Sequence, residues 1–286
     1  MKRAGLCFAL VLVAAHAVAA EPKRIVSTSP SITDTLFALD LGDRVVGVSR
    51  YCRHPPAVDA LPRVGTFLKP DVEAIARLRP DLVVVHKSAD DLQARLTALH
   101  LRYVDVEGGG LKAVYATIRR IGAAAEVSSR AERLVADIEA RLIAIRAKSG
   151  ARRPRVLLIV GRRPGLLADI VAVGRDSYLN DLLEIAGGTN ALADEGLPEY
   201  PRISLETVVR LRPDVVIDTG DMGDTPEERV RRSGANRELW MRNALIANAG
   251  IKRIHATTTD ALVVPGPRVV EAAEWLRSLI QDDRVP

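Results

Sequence analysis

Short runs of apolar, β-branched residues alternate along the chain with segments whose apolar residues recur at helical spacing. The runs predict strands near 24–27, 45–48, 82–85 and 102–106, and then near 155–160, 215–218 and 253–255. An all-apolar run is typical of a parallel strand buried on both faces, and the intervening helices supply the crossovers that parallel strands need. The pattern therefore predicts an α/β fold.

One unit of this pattern occurs twice. The segment that starts at Glu73 and continues Ala-Ile-Ala-Arg-Leu-Arg-Pro-Asp-Leu-Val-Val-Val returns at Glu206 as Thr-Val-Val-Arg-Leu-Arg-Pro-Asp-Val-Val-Ile-Asp. Each copy predicts a short helix, a Pro-Asp turn that ends it, and a buried strand. Two copies predict two similar, Rossmann-like lobes with parallel sheets.

The boundaries of several helices are marked by turn and cap residues. Ser29 followed by Pro30 predicts the start of a helix that Gly42 ends, and Pro267 predicts the start of a last helix through Ile280.

A single long helix is predicted between the lobes. Ser129 and Glu132 have the spacing of a capping box, and apolar residues follow at helical spacing up to Gly150. The predicted units are an N-terminal lobe over 21–126, an interdomain helix over 127–150 and a C-terminal lobe over 151–286. Because one helix hinges less freely than paired strands, we expect any closure on a ligand to be small.

Residues 1–20 have the pattern of a Sec-type signal peptide. Lys2 and Arg3 precede an apolar run that closes on small residues before the polar segment starting at Glu21. The run is short for a membrane span, which needs about 20 apolar residues. Cys7 lies too early to be lipidated, because a lipoprotein signal has its apolar region before the cysteine. We expect a secreted protein that is not a lipoprotein.

Composition and charge exclude further classes. The chain is 48% hydrophobic and has no low-complexity tract, which excludes disordered and fibrous proteins. Cleavage removes Cys7 and leaves Cys52 alone, so no intramolecular disulfide can form. It also removes two positive charges and lowers the formal charge from +5 to +3. This excess is small, and no basic run with interleaved aromatics indicates nucleic-acid binding.

Aromatic residues are only 3% of the chain, so each can be considered separately. Tyr51, Phe67 and Tyr200 lie on proline-rich loops between predicted elements. Ligands of open α/β lobes bind beyond the carboxyl ends of the strands, so we expect these rings in a cleft between the lobes. Core packing is the ordinary alternative for a lone Tyr or Phe. Tyr103 and Tyr115 lie in periodic segments and are expected to be structural.

Several segments taken together resemble the cobalamin and iron-complex periplasmic binding proteins of ABC importers. They are 24–36, 46–56, the two repeat units, 174–190 and the Pro-Gly-Pro-Arg segment at 265–268. The resemblance covers nearly the whole mature chain, and its specificity lies in the order and spacing of the segments. It implies a periplasmic, monomeric two-lobed receptor without catalytic activity, which delivers a small-molecule ligand to a dimeric permease.

The resemblance also implies how the receptor meets its permease. Family members dock through one surface glutamate of each lobe, and Glu73 and Glu206 match those positions. Two equivalent carboxylates on pseudo-symmetric lobes suit a partner made of two identical subunits. The alternative is that each glutamate only occupies the first turn of its helix, where the helix dipole favours negative charge.

The ligand that the resemblance implies is cobalamin or a related corrinoid, with no cofactor besides. Cobalamin-binding relatives carry aromatic residues at the three loop positions above and an acidic cleft residue at the position of Asp260. His86 follows a predicted strand and should face the cleft. Arg162 follows the strand ending at Val160 and should lie on the rim, where it would meet an anionic group of the ligand. A solvated loop is the alternative for Arg162.

Two other ligands of the same importer class remain open. A ferric siderophore is the main competitor, and the arginines that would suit an anionic complex are Arg50, Arg53, Arg162, Arg163 and Arg202. Haem is less favoured, because Thr66 stands where a haem carrier of this family is expected to have an iron-ligating tyrosine.

Metal-ion binding and enzymatic activity are both disfavoured. A zinc or manganese site needs several converging ligands, and the histidines left after processing are His54, His86, His100 and His255. A secreted α/β enzyme is the alternative from another class. The chain lacks Gly-x-Ser-x-Gly, Gly-x-x-x-x-Gly-Lys and His-Glu-x-x-His, and the run Gly108-Gly109-Gly110 is read as a flexible turn.

Overall fold

Two sheets, one in each lobe, form the frame of the molecule. The computed structural model describes residues 21–87, 91–193, 196–220, 226–257 and 259–281, and its fold is α/β, as the sequence pattern predicts. The predicted signal peptide, residues 1–20, lies outside these ranges. Across the described ranges, no helix has both the length and the apolar character needed to span a bilayer.

The first sheet is entirely parallel. Its strands are β1 (Ile25–Ser27), β2 (Val45–Val48), β3 (Leu82–His86) and β4 (Tyr103–Val106). They are arranged in the order β2-β1-β3-β4. The crossovers contain α1 (Pro30–Ala38), α2 (Val72–Arg77) and α3 (Leu92–Ala98). The central strands β1 and β3 are buried almost throughout, which explains their unbroken apolar sequences.

Two helices lead from the first lobe to the second. They are α4 (Leu111–Ala124) and α5 (Ser128–Ala147). The 20 residues of α5 form the long helix that the sequence predicts between the lobes.

The second sheet is mixed, which the sequence pattern did not predict. Its strands are β5 (Arg155–Gly161), β6 (Ile170–Ala172), β7 (Thr189–Asn190), β8 (Arg202–Ile203), β9 (Val215–Asp218) and β10 (Arg253–Ala256). The order is β10-β9-β5-β6-β8, with β7 also paired to β5. β6 runs antiparallel to β5 and β8. β6, β7 and β8 have only two or three residues each, too few to show an alternating pattern.

The helices of the second lobe are α6 (Tyr178–Ile185), α7 (Leu205–Leu211), α8 (Pro226–Met241), α9 (Ala244–Asn248) and α10 (Val269–Gln281). α4, α5, α6 and α10 pack on one another between the two sheets. A single apolar core continues through them from one lobe into the other. The lobes are therefore joined by a packed seam as well as by α5.

Cap predictions were right for one helix and wrong for another. Ser29 caps α1 by accepting the backbone N–H of Ile32, as predicted, although α1 ends at Ala38, before Gly42. The capping box at Ser129 does not form. The N-cap of α5 is Val127, two residues earlier, and it provides no side-chain cap; the Glu132 carboxylate instead accepts a hydrogen bond from Arg119 Nε on α4 at 3.0 Å.

Both copies of the repeated unit use their aspartate in the same way. Asp81 accepts the backbone N–H groups of Lys23 and Arg24, each at 2.9 Å, just before β1 begins. Asp214 accepts the backbone N–H of Arg155 at 2.7 Å, where β5 begins. Each Pro-Asp turn thus fixes the start of the neighbouring parallel strand.

An arginine completes the unit in each lobe. Arg24 Nη2 donates to the carbonyl of Leu78 at 2.8 Å, and Arg155 Nη2 donates to the carbonyl of Leu211 at 3.0 Å. These carbonyls lie at the ends of α2 and α7, where no intrahelical donor remains. The repeated unit therefore includes one more residue than the sequence comparison shows. This residue is an arginine, which is Arg24 just before β1 and Arg155 at the start of β5.

Candidate functional site

A cleft of about 450 Å³ lies between the lobes, at the carboxyl ends of the parallel strands. The N-terminal lobe supplies the turn after β1, the residues Tyr51 and Phe67, the end of β3 and the glycine turn at 108–109. The C-terminal lobe supplies Glu199, Tyr200, the start of α6 and the segment 263–265. This is the edge at which open α/β sheets bind their ligands.

The three loop aromatics come together in this cleft. Tyr51, Phe67 and Tyr200 all line it, with exposed fractions of 56%, 43% and 37%. In the part of the chain that the structure describes, no other Phe, Trp or Tyr side chain is exposed. Their shared position agrees with the expected arrangement, and their contact with a ligand stays a prediction.

His86 also lines the cleft, as the sequence indicates. Its Nε2 lies 3.0 Å from Ser29 Oγ and 3.2 Å from Ser31 Oγ, and the Phe67 ring meets the imidazole edge-on at a centroid distance of 5.1 Å. Burial lowers the pKa of His86, so the ring is neutral at physiological pH. This part of the wall offers neutral hydrogen-bonding groups.

The wall of the C-terminal lobe contains two residues that the sequence analysis missed. Glu199 precedes Tyr200, and Tyr178 is the first residue of α6. Ser177 Oγ donates to the Tyr200 hydroxyl at 3.0 Å, and the Tyr178 hydroxyl donates to the carbonyl of Leu262 at 2.9 Å. Burial raises the pKa of Tyr178, Tyr200 and Glu199. In the sequence, the one indication of this wall was that Glu199 adjoins Tyr200, which was expected to lie in the cleft.

Positive charge in the cleft is already paired. Lys87, which follows β3, is the one cationic side chain among the described lining residues, and its Nζ lies 2.8 Å from Glu107 Oε1. The arginines proposed for a ferric siderophore (Arg50, Arg53, Arg163 and Arg202) are not among these residues. The wall therefore offers little unpaired charge to an anionic ligand.

Arg162 does not lie on the rim, and that prediction is wrong. Its side chain is fully buried, with Nε 2.8 Å from Asp218 Oδ2, and Trp240 Nε1 donates to the same oxygen at 2.8 Å. The reason is that β5 continues through Gly161 beside β9, whose last residue is Asp218. A buried carboxylate at the end of β9 requires a counter-charge, which Arg162 supplies.

Asp260 lies beside the cleft without lining it. Its Oδ1 accepts a hydrogen bond at 2.9 Å from Arg268 Nη1, and Arg268 Nε donates to Asp34 of α1 at 2.7 Å. His54 Nδ1 lies 3.5 Å from the other oxygen of Asp34. The acidic position that the resemblance assigns to ligand binding is thus engaged by an arginine, whose other partner belongs to the opposite lobe.

Glu73 and Glu206 occupy equivalent places in the two lobes. Each lies in the first turn of its helix, α2 or α7, and each is exposed. Glu73 pairs with Arg95 of α3 at 3.2 Å, while the Ser204 hydroxyl lowers the pKa of Glu206 by hydrogen bonding. Because these helices return from the cleft edge to the start of the next strand, both carboxylates lie on the same side of the molecule as the cleft.

Metal ligands do not cluster in the described ranges. No group of three or more His, Cys, Asp or Glu side chains there could hold a metal ion.

We predict that Arg162→Met lowers the free energy of unfolding by about 3–5 kcal/mol, because it leaves the buried Asp218 carboxylate without its cation. Urea denaturation measures the change. Arg163→Met is the matched control, since its partner Asp169 is exposed and the loss should stay below about 1 kcal/mol. Equal losses for the two variants would contradict the assignment of Arg162 to the core.

Comparison with known proteins agrees with this fold and cleft. The periplasmic binding protein family matches residues 25–262. The chain is 29% identical over 276 residues to an uncharacterized ABC transporter substrate-binding lipoprotein, YvrC of Bacillus subtilis, covering 92% of this chain and 81% of that protein. It is 25% identical over 256 residues to a vitamin B12-binding protein of Vibrio cholerae, covering 88% of this chain and 87% of that protein.

A solved structure with the same fold is the periplasmic heme-binding protein RhuT from Roseiflexus sp. RS-1 in its apo form. The TM-score is 0.76 at 28% identity, with 91% of this chain and 98% of that chain covered. The two-lobed fold, the cleft and these matches together show that the chain belongs to the periplasmic binding protein family, the substrate-binding class of ABC transporters.

Proposed function

We propose that this protein captures cobalamin or a related corrinoid in the cleft between its lobes and delivers it to the permease of an ABC importer. The observation that carries the proposal is the concentration of the exposed aromatic rings at the cleft. Tyr51 and Phe67 come from one lobe and Tyr200 from the other. Exposed rings on both walls gain favourable free energy when a flat, partly apolar ring displaces water from them.

The polar groups of the cleft wall suit a ligand whose peripheral groups carry no charge. Ser29, Ser31, the tyrosine hydroxyls and Glu199 offer donors and acceptors, and the cation of Lys87 is paired with Glu107. A corrinoid carries primary amides around its ring, which such groups can bind. Haem carries two carboxylates, and many ferric siderophores are anionic, so both would bring negative charge toward Glu199.

The relatives support both a corrinoid and haem. The match to a vitamin B12-binding protein spans most of both chains, and the solved heme-binding protein has a similar fold. Two features favour haem as the second candidate. The first is the cleft volume of about 450 Å³, which suits a compact macrocycle such as haem, whereas a corrinoid would extend beyond the rim. The second is the neutral ring of His86, which could ligate iron.

Calorimetric titration of the purified mature protein with cyanocobalamin, haemin and a ferric hydroxamate siderophore tests the proposal. We expect one-to-one binding of cyanocobalamin, because the exposed rings suit a flat macrocycle and the polar side chains of the wall suit amides. Tight binding of haemin or of the siderophore, with no heat from cyanocobalamin, would reject the corrinoid. With haemin, loss of the Soret shift in His86→Gln would then identify the iron ligand.

A second prediction concerns the aromatic wall. We expect Tyr51→Ala, Phe67→Ala and Tyr200→Ala each to weaken binding of the preferred ligand about tenfold, or about 1.4 kcal/mol, by removing a ring face. Leu68→Ala is the matched control, because Leu68 adjoins Phe67 and is highly exposed but does not line the cleft. If the control weakens binding as much as Phe67→Ala, the effect comes from the loop and not from ring contact.

We also propose that Glu73 and Glu206 dock the loaded protein on its permease. Their support is their equivalence in the two lobes, their exposure and their position on the cleft side of the molecule. Charge pairs at the rim of an interface chiefly steer and orient the partners. The pair Glu73–Arg95 must open for Glu73 to meet a cation of the permease, whereas Glu206 has no cationic partner among the described residues.

The double variant Glu73→Ala/Glu206→Ala should keep its ligand affinity within about twofold and lose most ligand-dependent stimulation of the ATPase of the reconstituted transporter. The variant Asp43→Ala/Glu139→Ala removes two exposed carboxylates elsewhere and serves as the charge-matched control. A double variant that binds no ligand would assign the two glutamates to the fold or to the cleft instead.

We further propose that the mature protein is a monomer released into the periplasm by removal of residues 1–20, and that it is not a lipoprotein. The support is the position of Cys7 inside the apolar run. The Bacillus subtilis relative is named a lipoprotein, so the mode of retention would differ between the two proteins.

A further inference from the structure

The turns that line the cleft are held by side chains of the opposite lobe. The glycine turn 108–110 belongs to the N-terminal lobe, and the segment 263–265 belongs to the C-terminal lobe. We infer that Asp181 and Arg268 are positioning residues for these two turns, and that they set ligand affinity without touching the ligand. The part of this inference that concerns affinity rests on the proposed function of the cleft.

Asp181 caps a helix that is not its own. It lies on α6 of the C-terminal lobe, and its Oδ2 accepts the backbone N–H of Leu111 at 2.7 Å, in the first turn of α4. The N-cap residue of α4 is Gly110, which has no side chain to satisfy that donor. A Cβ at position 110 would lie 3.1 Å from the Asp181 oxygen and would push the carboxylate away by a few tenths of an ångström, so glycine favours the close approach.

The cap fixes a turn of the cleft wall. Gly108 and Gly109 directly precede the capped residues, and Gly109 has a positive φ of 139°, which a residue with a side chain rarely adopts. A run of three glycines has little conformational preference of its own. Its position in the wall therefore depends on the hydrogen bond that the other lobe supplies.

Arg268 holds the second turn, the segment 263–265 of its own lobe, by binding a residue of the N-terminal lobe. Its Nη1 donates to Asp260 of its own lobe at 2.9 Å, and its Nε donates to Asp34 of α1 at 2.7 Å. Both Arg268 and Asp34 are largely buried, with side-chain exposures of 11% and 3%. Between Asp260 and Arg268 the chain forms the cleft segment 263–265. The Asp260–Arg268 pair joins the two ends of this segment, and the Asp34–Arg268 pair holds it against the N-terminal lobe.

These contacts lie outside the lining of the cleft. Asp34, Asp181 and Arg268 are absent from the lining of the cleft, and the shared apolar core joins the lobes without them. Their loss should therefore loosen the two turns while the shared core keeps the lobes packed, and removal of Arg268 should also cost stability because it leaves the buried Asp34 without its cation. In such a variant the ordered conformation of the wall is only one of several that the two turns adopt. A ligand that binds only this conformation then has a weaker apparent affinity, because a smaller fraction of the protein is ready to bind it.

Hydrogen–deuterium exchange of the ligand-free protein tests the positioning role directly. We expect Asp181→Ala to speed exchange in the peptide that contains Leu111 about fivefold, as loss of a helix cap does, and Asp181→Asn to restore slow exchange because its amide oxygen still accepts. Arg268→Met should speed exchange over 260–266. Exchange that is unchanged in both variants would overturn the inference, whatever the ligand proves to be.

Affinity is the second measurement, made with cyanocobalamin and haemin as probes. Asp181→Ala and Arg268→Met should each weaken the bound probe about tenfold, and Asp181→Asn should stay near the wild-type value. Arg163→Met is the matched control, because its ion pair with Asp169 lies within one lobe. Faster exchange without any loss of affinity would overturn the positioning role. If the wild-type protein binds neither probe, the proposed function fails. The hydrogen–deuterium exchange rates still decide whether Asp181 and Arg268 position the two turns.

Once Arg268 is removed, His54 is the one remaining ionic partner of the buried Asp34 among the described residues. If Arg268→Met does not fold, the charge-balanced variant Asp34→Asn/Arg268→Met replaces it, and the same exchange and affinity criteria apply.

Discussion

Burial of parallel strands on both faces is the constraint on which this molecule depends. β1, β3, β5 and β9 are almost wholly apolar, so helices must cover both sides of each sheet. Helical crossovers return the chain to the same edge before each of the long parallel strands, and the loops that leave these strands therefore collect at one edge of each lobe. Where the two edges face each other, the molecule has its cleft.

The repeated unit shows how one short sequence satisfies this constraint twice. The aspartate after each proline binds backbone N–H groups at the start of the neighbouring strand or just before it, and an arginine at the same place satisfies the end of the helix. The sequence comparison found the helix, the turn and the strand, because these are contiguous. It could not find Arg24 and Arg155 as members of the unit, since their partners lie more than 50 residues away.

The same distinction between local and distant partners decides which site residues the sequence could predict. Tyr51, Phe67 and Tyr200 follow from loop position alone, because proline-rich flanks keep them out of strands and helices. Arg162 looked like a rim residue because it follows a strand, but Asp218, at the end of another strand, draws its guanidinium into the core. Such pairings depend on which strands become neighbours, and hydrophobic periodicity carries no information about that. The pattern also missed β6, β7 and β8, because strands of two or three residues are too short to show alternation.

Cys52, the one cysteine in the described part of the chain, is buried, and this position limits what its thiol can do. Cys52 is 1% exposed, its Sγ lies 3.1 Å from Thr33 Oγ1, and burial raises the pKa of its thiol. Thiol oxidation and disulfide exchange proceed through the thiolate and require access to sulfur. With both restricted, Cys52 is protected from forming a disulfide with a second copy of the protein, and encounters between copies stay reversible at this position.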